Sequence, residues 1–578
     1  MNRLSGALAL IICAALVASG CGGRKVGATL GGDAPAKRGG DLTVLSISDV
    51  TSLDPGAWYY GYDYQALQHP TQRALYGWKP ADVRPSPDLA AGMPRTSADG
   101  RTVTIQIKPN IRYSPPLQSR TVTSADVKYA IERTFLKSVA NQYSAVYYGA
   151  IVGARAFRSG GAQEISGIQT PDDGTLVLTL EQPVGVISDG QALSLPGTVP
   201  VPQDYARRYD AATPSTYGEH QVFTGPYMVK NDGQGTITGY AAGRRLQLVR
   251  NPSWDPKTDY RPAYLDTMTF LGGNDIDAAS RRILSGTSLA SGDFAAPPVN
   301  LLRSALATRR DQLAIVPSRG VRFVALNTTV KPFDDVDVRR AVAAAIDRDA
   351  LRRTLGDPAL GAIATHVLTP QLPAFAAAGG VAGTFDFMKS PGGDLRLAQR
   401  YMRRAGYPAG RYHGPPLAMV GDDQQPSSAT AAAVRSQLER LGFSFRYRQS
   451  SRAKMFDLCG VASARVAVCP NGSWAADFFD PQPLLDPVFD GETAAPFASV
   501  NWAQVHDPEL DAGFDIAAAL TDPQKRTRAY AEIDRTVTGR AYVVPWLWDN
   551  QISFASANVK GVVNRFDASW DMAFMSLR

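Results

Sequence analysis

Strand-like and helix-like segments alternate along this chain, and that alternation constrains its fold more than any other feature. Thr102–Ile107 (TVTIQI) alternates strictly between polar and apolar residues, as a half-buried strand does. Thr123-Ser-Ala-Asp126 then resembles a capping box, and Val127 and Ile131 share one face of the helix that it predicts. The first half of the chain therefore passes from strand to helix over a short stretch.

The second half repeats this alternation without repeating the sequence. Arg322–Leu326 is strand-like, and Val338–Asp347 (VRRAVAAAID) has helical spacing. Thr430–Leu441 is a further amphipathic helix, and Gly442 suits the position just beyond its end. Alternating strands and helices predict α/β lobes rather than an array of repeats.

Composition leaves room for several globular domains. The chain has 578 residues, of which 44% are hydrophobic and 20% are charged. The formal net charge of +7 is dispersed, and no block of Lys and Arg has aromatic residues between its members. We therefore expect no nucleic-acid binding. After the N-terminal apolar segment, no apolar run is long enough to span a membrane.

The N-terminus has the features of an export signal. Arg3 supplies the positive charge, Ala7–Ala18 is apolar, and small residues at 17–20 stand directly before Cys21. This pattern resembles a bacterial lipobox, so residues 1–20 are predicted to be a signal peptide and Cys21 to carry the lipid. The alternative is ordinary signal cleavage after Gly20.

Residues 21–39 form the predicted tether between the lipid and the folded body. They are rich in Gly, Ala, Lys and Arg and show no periodicity. The expected location is therefore the extracytoplasmic face of the cell membrane, with the protein held there by its lipid anchor.

Cysteine usage agrees with export. Once Cys13 leaves with the signal and Cys21 carries the lipid, Cys459 and Cys469 are the only pair left. We predict that they form a disulfide, as paired cysteines of exported proteins do. The alternative is two free buried thiols, and the spacing does not match a metal site.

A collinear series of short segments resembles a known family, the bacterial extracellular solute-binding proteins of family 5. Members of this family are the dipeptide, oligopeptide and nickel binders of ABC importers. In order, the segments are Gly39–Gly56 (GGDLTVLSISDVTSLDPG), Asp88–Ser114, Thr121–Thr134, Thr224–Val229 (TGPYMV), Leu246–Pro256, Pro262–Phe270, Phe323–Leu351, Ala398–Pro408, Ser473–Pro487 and Ala541–Asn550.

The resemblance implies a fold and a division into domains. The expected fold is α/β of the type II periplasmic-binding-protein kind, with two lobes, a hinge and an extra small domain. Lobe I is expected to take residues 40–66, 200–319 and 550–578. The small domain then covers 67–199, and lobe II covers 320–549. A ligand would be enclosed in the cleft between the lobes.

Asp477 is the first ligand-binding candidate. In the peptide binders an aspartate three places after a loop tryptophan pairs with the α-ammonium group of the ligand, and Trp474-Ala-Ala-Asp477 keeps that spacing. A buried ammonium needs a fixed carboxylate to compensate its charge. The alternative is that Asp477 caps a turn before Asp480-Pro481. Trp474 offers a flat apolar wall to the ligand, or else it is a core residue.

The resemblance adds further candidates around the cleft. Tyr59 and Tyr60, followed by Tyr62, come after the turn at residues 53–55, where family members line the cleft. Tyr227 and Asn327 are expected at strand ends that face the same cleft. Arg465 is a candidate partner for a ligand carboxylate, although residues 459–469 look inserted relative to the peptide binders.

The implied function is that of a lipid-anchored substrate-binding protein of an ABC importer. It would capture peptides in the cleft and deliver them to membrane permease and ATPase subunits, as a monomer, without a cofactor and without enzymatic activity. Alternatives within the same fold are a nickel chelate, an oligosaccharide or an amine metabolite as ligand.

Two other classes of protein compete with this function. A signalling lipoprotein that has lost transport would keep the same fold. A secreted hydrolase is disfavoured because no GxSxG or HExxH motif occurs. The histidines are also scattered, at His69, His220, His366, His413 and His506.

The lipobox generates the first testable prediction. We expect Cys21→Ser to release the mature protein from membranes, because stable anchoring depends on the acyl chains that Cys21 would carry. Fractionation into membrane and soluble pools measures the effect. A Ser variant that stays as membrane-bound as the wild type would show that the lipobox interpretation is wrong.

Overall fold

The computed structural model describes residues 36–293, 296–493 and 499–578. The predicted signal peptide, Cys21 and most of the tether lie outside these ranges. Within them the chain is a mixed α/β protein with three larger sheets and two short hairpin-like pairs of strands. None of the described helices has both the length and the apolar character needed to cross a membrane.

The first sheet begins with the predicted strand Asp41–Leu45, which pairs in parallel with two of its neighbours. The remaining pairs are antiparallel. In spatial order its strands are Leu289–Ser291, Asp41–Leu45, Thr267–Leu271, Arg245–Arg250 and Tyr227–Val229, with Tyr240–Ala241 added on Arg245–Arg250.

The second sheet carries two strands that are longer than any others described. In spatial order its strands are Gly361–Ile363, Val543–Phe554, Leu313–Leu326, Val468–Ala475, Leu417–Asp422 and Phe445–Ser450. Leu417–Asp422 pairs in parallel with both of its neighbours, and the other pairs are antiparallel.

A third, antiparallel sheet lies within residues 67–199, the range predicted for the small domain. Its strands, in spatial order, are Arg95–Thr96, Thr102–Gln106, Thr175–Thr179 and Ile168–Asp172. The two short pairs are Tyr76–Gly77 with Ser86–Pro87 and Val559–Lys560 with Ser576–Leu577.

Helices pack against the sheets between these strands. The helices of eight or more residues are Ser124–Arg133, Gln203–Asp210, Ile276–Ser285, Val299–Thr308, Val336–Ala345, Arg348–Leu355, Leu395–Arg404, Ser427–Glu439, Arg452–Gly460, Gln482–Phe489, Pro508–Ala519 and Pro523–Gly539.

Local sequence explains several of these boundaries. Thr123 and Asp126 form the predicted capping box at the start of helix Ser124–Arg133. Asp335 caps the next predicted helix, Val336–Ala345, by accepting a hydrogen bond from the backbone N–H of residue 337. Gly442 has a φ of +87° just beyond another helix, which is the left-handed conformation that favours glycine.

The two long strands connect the hydrophobic core beside the first sheet with the core of the second sheet. Leu313–Leu326 and Val543–Phe554 pair with each other along most of their length, with a shift of register between Pro317 and Val321. Leu313, at one end, packs beside the first sheet, whereas Val324 packs in the core of the second sheet. The lobe boundaries expected at 319/320 and 549/550 fall on this pair, and the division into lobes at those residues stays a prediction.

Cys459 and Cys469 form a disulfide in the structure, as predicted, with an S–S distance of 2.07 Å. The bond ties helix Arg452–Gly460 to strand Val468–Ala475. Both cysteines are buried, with exposed fractions of 4% and 2%. The bond thus holds two neighbouring elements of the second half together.

We expect the double substitution Cys459→Ala, Cys469→Ala to lower the free energy of unfolding by about 2–3 kcal/mol, because the cross-link restricts the unfolded chain. Guanidinium unfolding followed by circular dichroism measures this change. A reductant should destabilise the wild type by a similar amount and leave the variant unaffected. Equal unfolding midpoints for the two proteins would contradict the prediction.

Candidate ligand-binding site

A cleft of about 1130 Å³ lies between the two halves of the molecule. It is lined by the long strands near Arg319 and Asn550, by the tyrosine segment that begins at Tyr59, and by the chain that follows strand Val468–Ala475 and carries Asp477. This volume slightly exceeds the range of about 300–1,000 Å³ that is usual for small-molecule sites. The cleft is therefore large enough for a ligand of several residues.

Strand pairing sets the position of Asp477. Strand Val468–Ala475 runs antiparallel to Leu313–Leu326 and ends with Ala475 opposite Gly320. The next residue, Ala476, donates its backbone N–H to the carbonyl of Arg319 at 3.2 Å. Asp477 therefore leaves the sheet beside Arg319, and both residues line the cleft.

The Asp477 carboxylate is held by two tyrosine hydroxyls. Tyr147 donates to one of its oxygens at 2.5 Å, and the Tyr143 hydroxyl lies 3.3 Å from the other. Burial raises the pKa of Asp477 to about 6, and the hydrogen bond from Tyr147 and the charge of Arg319 oppose that rise only in part. An ionised Asp477 is thus short of compensating positive charge.

Asp480, and not Asp477, caps the turn that the sequence offered as an alternative role for Asp477. Asp480 accepts a hydrogen bond from the backbone N–H of Gln482 at 3.0 Å. In the described ranges, the hydrogen bonds to Asp477 come from side-chain hydroxyls alone. The geometry of Asp477 is therefore that of a cleft residue and not of a cap.

Further tyrosines surround this carboxylate. Tyr64 donates its hydroxyl to that of Tyr143 at 2.8 Å, and the rings of Tyr59 and Tyr143 lie 5.0 Å apart. The turn before Tyr59 is fixed by Asp54, whose carboxylate receives two hydrogen bonds from the buried guanidinium of Arg133 at 2.6 and 2.8 Å. A buried ion pair outside the cleft therefore positions the aromatic residues that line it.

The other aromatic candidates also lie at the cleft. Trp474 lines it and donates its indole N–H to the carbonyl of Pro483 at 2.7 Å, which fixes the ring. Tyr60 is 49% exposed and lines the cleft, with its ring stacked on that of Tyr62 at 5.5 Å. Tyr62 supports Tyr60 and is not among the residues that line the described cleft.

Three predicted contacts are wrong in this structure. Tyr227 is fully buried in the first sheet, and its hydroxyl donates to the carbonyl of Leu265 at 2.9 Å. Asn327 is 4% exposed, and its side-chain amide donates to the carbonyl of Val466 at 2.9 Å. Both are core residues because the strand ends that carry them face packed side chains. Arg465 is exposed and does not line the described cleft.

Sequence reasoning missed the two tyrosines that hold Asp477 and one arginine that lines the cleft. Tyr143 and Tyr147 are four residues apart in a tyrosine-rich stretch, and that spacing is the signal that could have found them. Arg319 lines the cleft from strand Leu313–Leu326, where Ser318 and Arg322 are polar as well, so no signal in the sequence marked it. The cleft therefore has more tyrosine and more positive charge than predicted.

Two further arginines that line the described cleft have carboxylate partners. Arg322 and Asp549, on the two long strands, form an ion pair of 2.6 Å. Arg452 lies 3.7 Å from Asp422. Within the described ranges, no group of three or more His, Cys, Asp or Glu residues is arranged to hold a metal ion.

Comparison with known families gives a direct match. The description "Bacterial extracellular solute-binding proteins, family 5 Middle" fits residues 84–496, which is more than half of the chain. The chain belongs to the family 5 solute-binding proteins. It thus has the type II periplasmic-binding fold that the resemblance predicted, with two hinged lobes and an extra small domain.

Relatives span nearly the full length of this solute-binding protein. The glutathione-binding protein GsiB of Salmonella typhi is 24% identical over 536 residues, covering 91% of this chain and 92% of the relative. The probable D,D-dipeptide-binding periplasmic protein DdpA of Escherichia coli is 23% identical over 535 residues, covering 90% and 91%. These relatives are binding proteins.

Solved structures agree with the fold. The clavulanic acid biosynthesis oligopeptide binding protein 2 has a TM-score of 0.81 and 27% identity, covering 94% of this chain and 96% of that one. The murein tripeptide binding protein MppA of Escherichia coli has a TM-score of 0.72 and 19% identity, covering 95% and 99%. The second of these likenesses shows the fold alone.

The raised pKa of Asp477 predicts that this residue costs stability at neutral pH. We expect Asp477→Asn to be more stable than the wild type at pH 7 by about 1–2 kcal/mol, since one pKa unit corresponds to about 1.4 kcal/mol and partial exposure reduces the effect. The folded wild type takes up a proton near pH 6, whereas the unfolded chain does so near its usual 3.8. The difference in free energy of unfolding between the variant and the wild type should therefore disappear as the pH falls from 6 to 4.

Denaturant unfolding of both proteins between pH 4 and pH 8 measures this gap. Asp457→Asn is a suitable control, because Asp457 is an exposed carboxylate on helix Arg452–Gly460 beside the same cleft. It should show no such pH-dependent gain. A lower stability of Asp477→Asn at pH 7 would contradict the prediction.

Proposed function

We propose that this protein captures peptides in its cleft and delivers them to the permease of an ABC importer. The observation that carries the proposal is the Asp477 carboxylate, which lines a cleft of about 1130 Å³ with neutral hydroxyls as its direct partners. A half-buried carboxylate in that situation favours a ligand that brings a cation. The α-ammonium group of a peptide is such a cation.

Asp477 has capacity left for this contact. An ionised carboxylate offers about four acceptor sites, and the hydroxyls of Tyr147 and Tyr143 occupy at most two of them. An ammonium group brings three donors and one positive charge. Its binding would satisfy the remaining lone pairs and compensate the charge at once.

Aromatic residues around the cleft suit varied side chains. Tyr59, Tyr60 and Trp474 present flat apolar faces with polar edges, and such faces pack against many side chains without selecting one. Together with the volume of the cleft, this favours peptides of several residues over a single small solute. Asp477 would fix the position of the N-terminus of the peptide, and the aromatic residues would accept side chains of different types.

Delivery follows from hinged closure around the bound peptide. The lobes are proposed to meet at the boundaries predicted from the sequence, 319/320 and 549/550, with the long strands as the connection. Closure of two lobes over a ligand is a known class of conformational change, and a permease can recognise the closed form. The lipid on Cys21 would keep the protein at the membrane that holds the permease. In this function the protein is not an enzyme and acts as a monomer.

The proposal predicts that peptide binding depends on the charge of Asp477. We expect Asp477→Asn to weaken binding of a peptide by about 2–5 kcal/mol, or roughly 30- to 4,000-fold, because a buried ammonium is left uncompensated. N-acetylation of the peptide should weaken binding to the wild type by a similar factor. The two changes together should cost little more than either alone, because both remove the same contact.

Titration calorimetry with a peptide pool, or with the ligand that co-purifies, measures these affinities. Asp457→Asn again serves as the control for a general loss of negative charge near the cleft, and it should bind as the wild type does. Unchanged affinity in a folded Asp477→Asn protein would overturn the proposal and favour a neutral solute such as a sugar.

A further inference from the structure

Most of the net charge of this chain comes from one segment of its second half. Residues 395–450, from the start of helix Leu395–Arg404 to the end of strand Phe445–Ser450, contain nine arginines, no lysine and three acidic residues. Their net charge of +6 accounts for nearly all of the +7 of the whole chain. The charge that looks dispersed along the full sequence is therefore concentrated in this segment.

Most of these arginines are exposed and have no carboxylate partner. Arg404 pairs with Asp337 at 3.2 Å, and Arg435 pairs with Glu439 at 3.5 Å. The other seven are exposed and form no ion pair within the part of the chain that the structure describes, and they are Arg396, Arg400, Arg403, Arg411, Arg440, Arg446 and Arg448.

Three of the seven form a stripe on one helix. Arg396, Arg400 and Arg403 are spaced by four and then three residues, so they lie on the same face of helix Leu395–Arg404. The buried residues of this helix lie on the opposite face. The helix therefore packs its apolar side against the core and presents guanidinium groups to solvent.

A backbone contact brings two more arginines together. The backbone N–H of Tyr412 donates to the carbonyl of Leu441 at 2.8 Å. Arg411 and Arg440 directly precede these two residues in the chain, so they lie on neighbouring segments.

The last two arginines lie on an edge strand of the second sheet. Arg446 and Arg448 are two residues apart on strand Phe445–Ser450 and so share one of its faces. The Nη1 atom of Arg446 also donates to the carbonyl of Pro416 at 2.6 Å.

A row of aromatic rings joins the helix, the turn and the edge strand. Ring centres lie 5.8 Å apart for Tyr407 and Tyr412, 4.9 Å apart for Tyr412 and Phe443, and 6.3 Å apart for Phe443 and Phe445. Each of these residues is close in sequence to one of the seven arginines. The seven therefore form one continuous region, which we call the arginine surface.

We propose that the arginine surface binds the anionic head groups of phospholipids at the membrane. A guanidinium group can donate two parallel hydrogen bonds to the oxygens of one phosphate, which the ammonium group of lysine cannot do. Charged residues on an edge strand also prevent pairing with other chains. That role explains Arg446 and Arg448, but it does not explain the five arginines outside the strand.

The predicted lipid anchor would place this surface beside its partner. Acyl chains on Cys21 would hold the protein at a bilayer, and the tether of residues 21–39 spans about 25 Å on average. A basic surface adds electrostatic attraction to anionic lipids and fixes which side of the protein faces them. None of the seven arginines lines the described cleft, so contact with lipid would leave the cleft open to its ligand.

Co-sedimentation with vesicles tests this inference on the Cys21→Ser protein, whose binding does not include the acyl chains. At about 0.1 M salt we expect it to bind vesicles with about 30% phosphatidylglycerol in phosphatidylcholine about 10-fold or more tightly than pure phosphatidylcholine vesicles. The difference should vanish at about 1 M salt, where charges are screened beyond about 3 Å. Such binding is weak and reversible, so washed membranes should still release this protein.

The triple variant Arg403→Gln, Arg411→Gln, Arg440→Gln should bind the phosphatidylglycerol vesicles about 10- to 100-fold more weakly, because each arginine near an anionic surface contributes about fivefold. Its thermal midpoint should equal that of the parent, since the three side chains are exposed and form no ion pair in the described ranges. Its affinity for peptides should also be unchanged, so this test does not depend on the proposed function.

The matched control is the triple variant Arg101→Gln, Arg155→Gln, Arg158→Gln. These arginines are exposed and lie within residues 67–199, so the control loses the same charge from another region. It should bind the vesicles as the parent does. An equal loss in both triple variants would assign the effect to net charge and overturn the inference. Equal binding of the parent to neutral and anionic vesicles would overturn it as well.

Discussion

The antiparallel pairing of Leu313–Leu326 with Val543–Phe554 is the interaction on which the rest of the structure depends. Residues of both strands pack in the core beside the first sheet and in the core of the second sheet. Strand Leu313–Leu326 also pairs with Val468–Ala475. A slip of one residue would turn every side chain of a strand to its other face. The register of this sheet therefore decides that Arg319 and Asp477 open into one cleft.

Charged side chains have different partners inside and outside that cleft. Away from it, a buried guanidinium such as that of Arg133 meets carboxylates on neighbouring elements, and the resulting pairs fix turns and helices. In the cleft, the half-buried Asp477 lies beside neutral hydroxyls, and the buried Arg319 lies beside aromatic rings. Binding sites commonly retain such unfavourable features because a ligand relieves them.

Local patterns predicted much of the fold, and contacts between distant segments account for what was missed. The capping box at Thr123 depends on neighbouring residues alone, so the sequence was sufficient there. Arg319 could not be predicted, because its role depends on pairing with a strand some 150 residues away. Tyr227 was misplaced for a related reason: the resemblance placed it at the end of a strand, but the end of a strand does not show whether the side chain faces a packed core or a cleft.

The disulfide between Cys459 and Cys469 links the final structure of the cleft to the oxidising surroundings outside the cytosol. Helix Arg452–Gly460 brings Phe456 to the cleft, strand Val468–Ala475 brings Trp474, and the bond joins the two. Disulfides form and persist in oxidising surroundings and are rare in the cytosol. In the cytosol, where this disulfide is absent, Phe456 and Trp474 would be held less rigidly at the cleft. The disulfide would form only after export, so the cleft would reach its final structure away from the peptides of the cytosol.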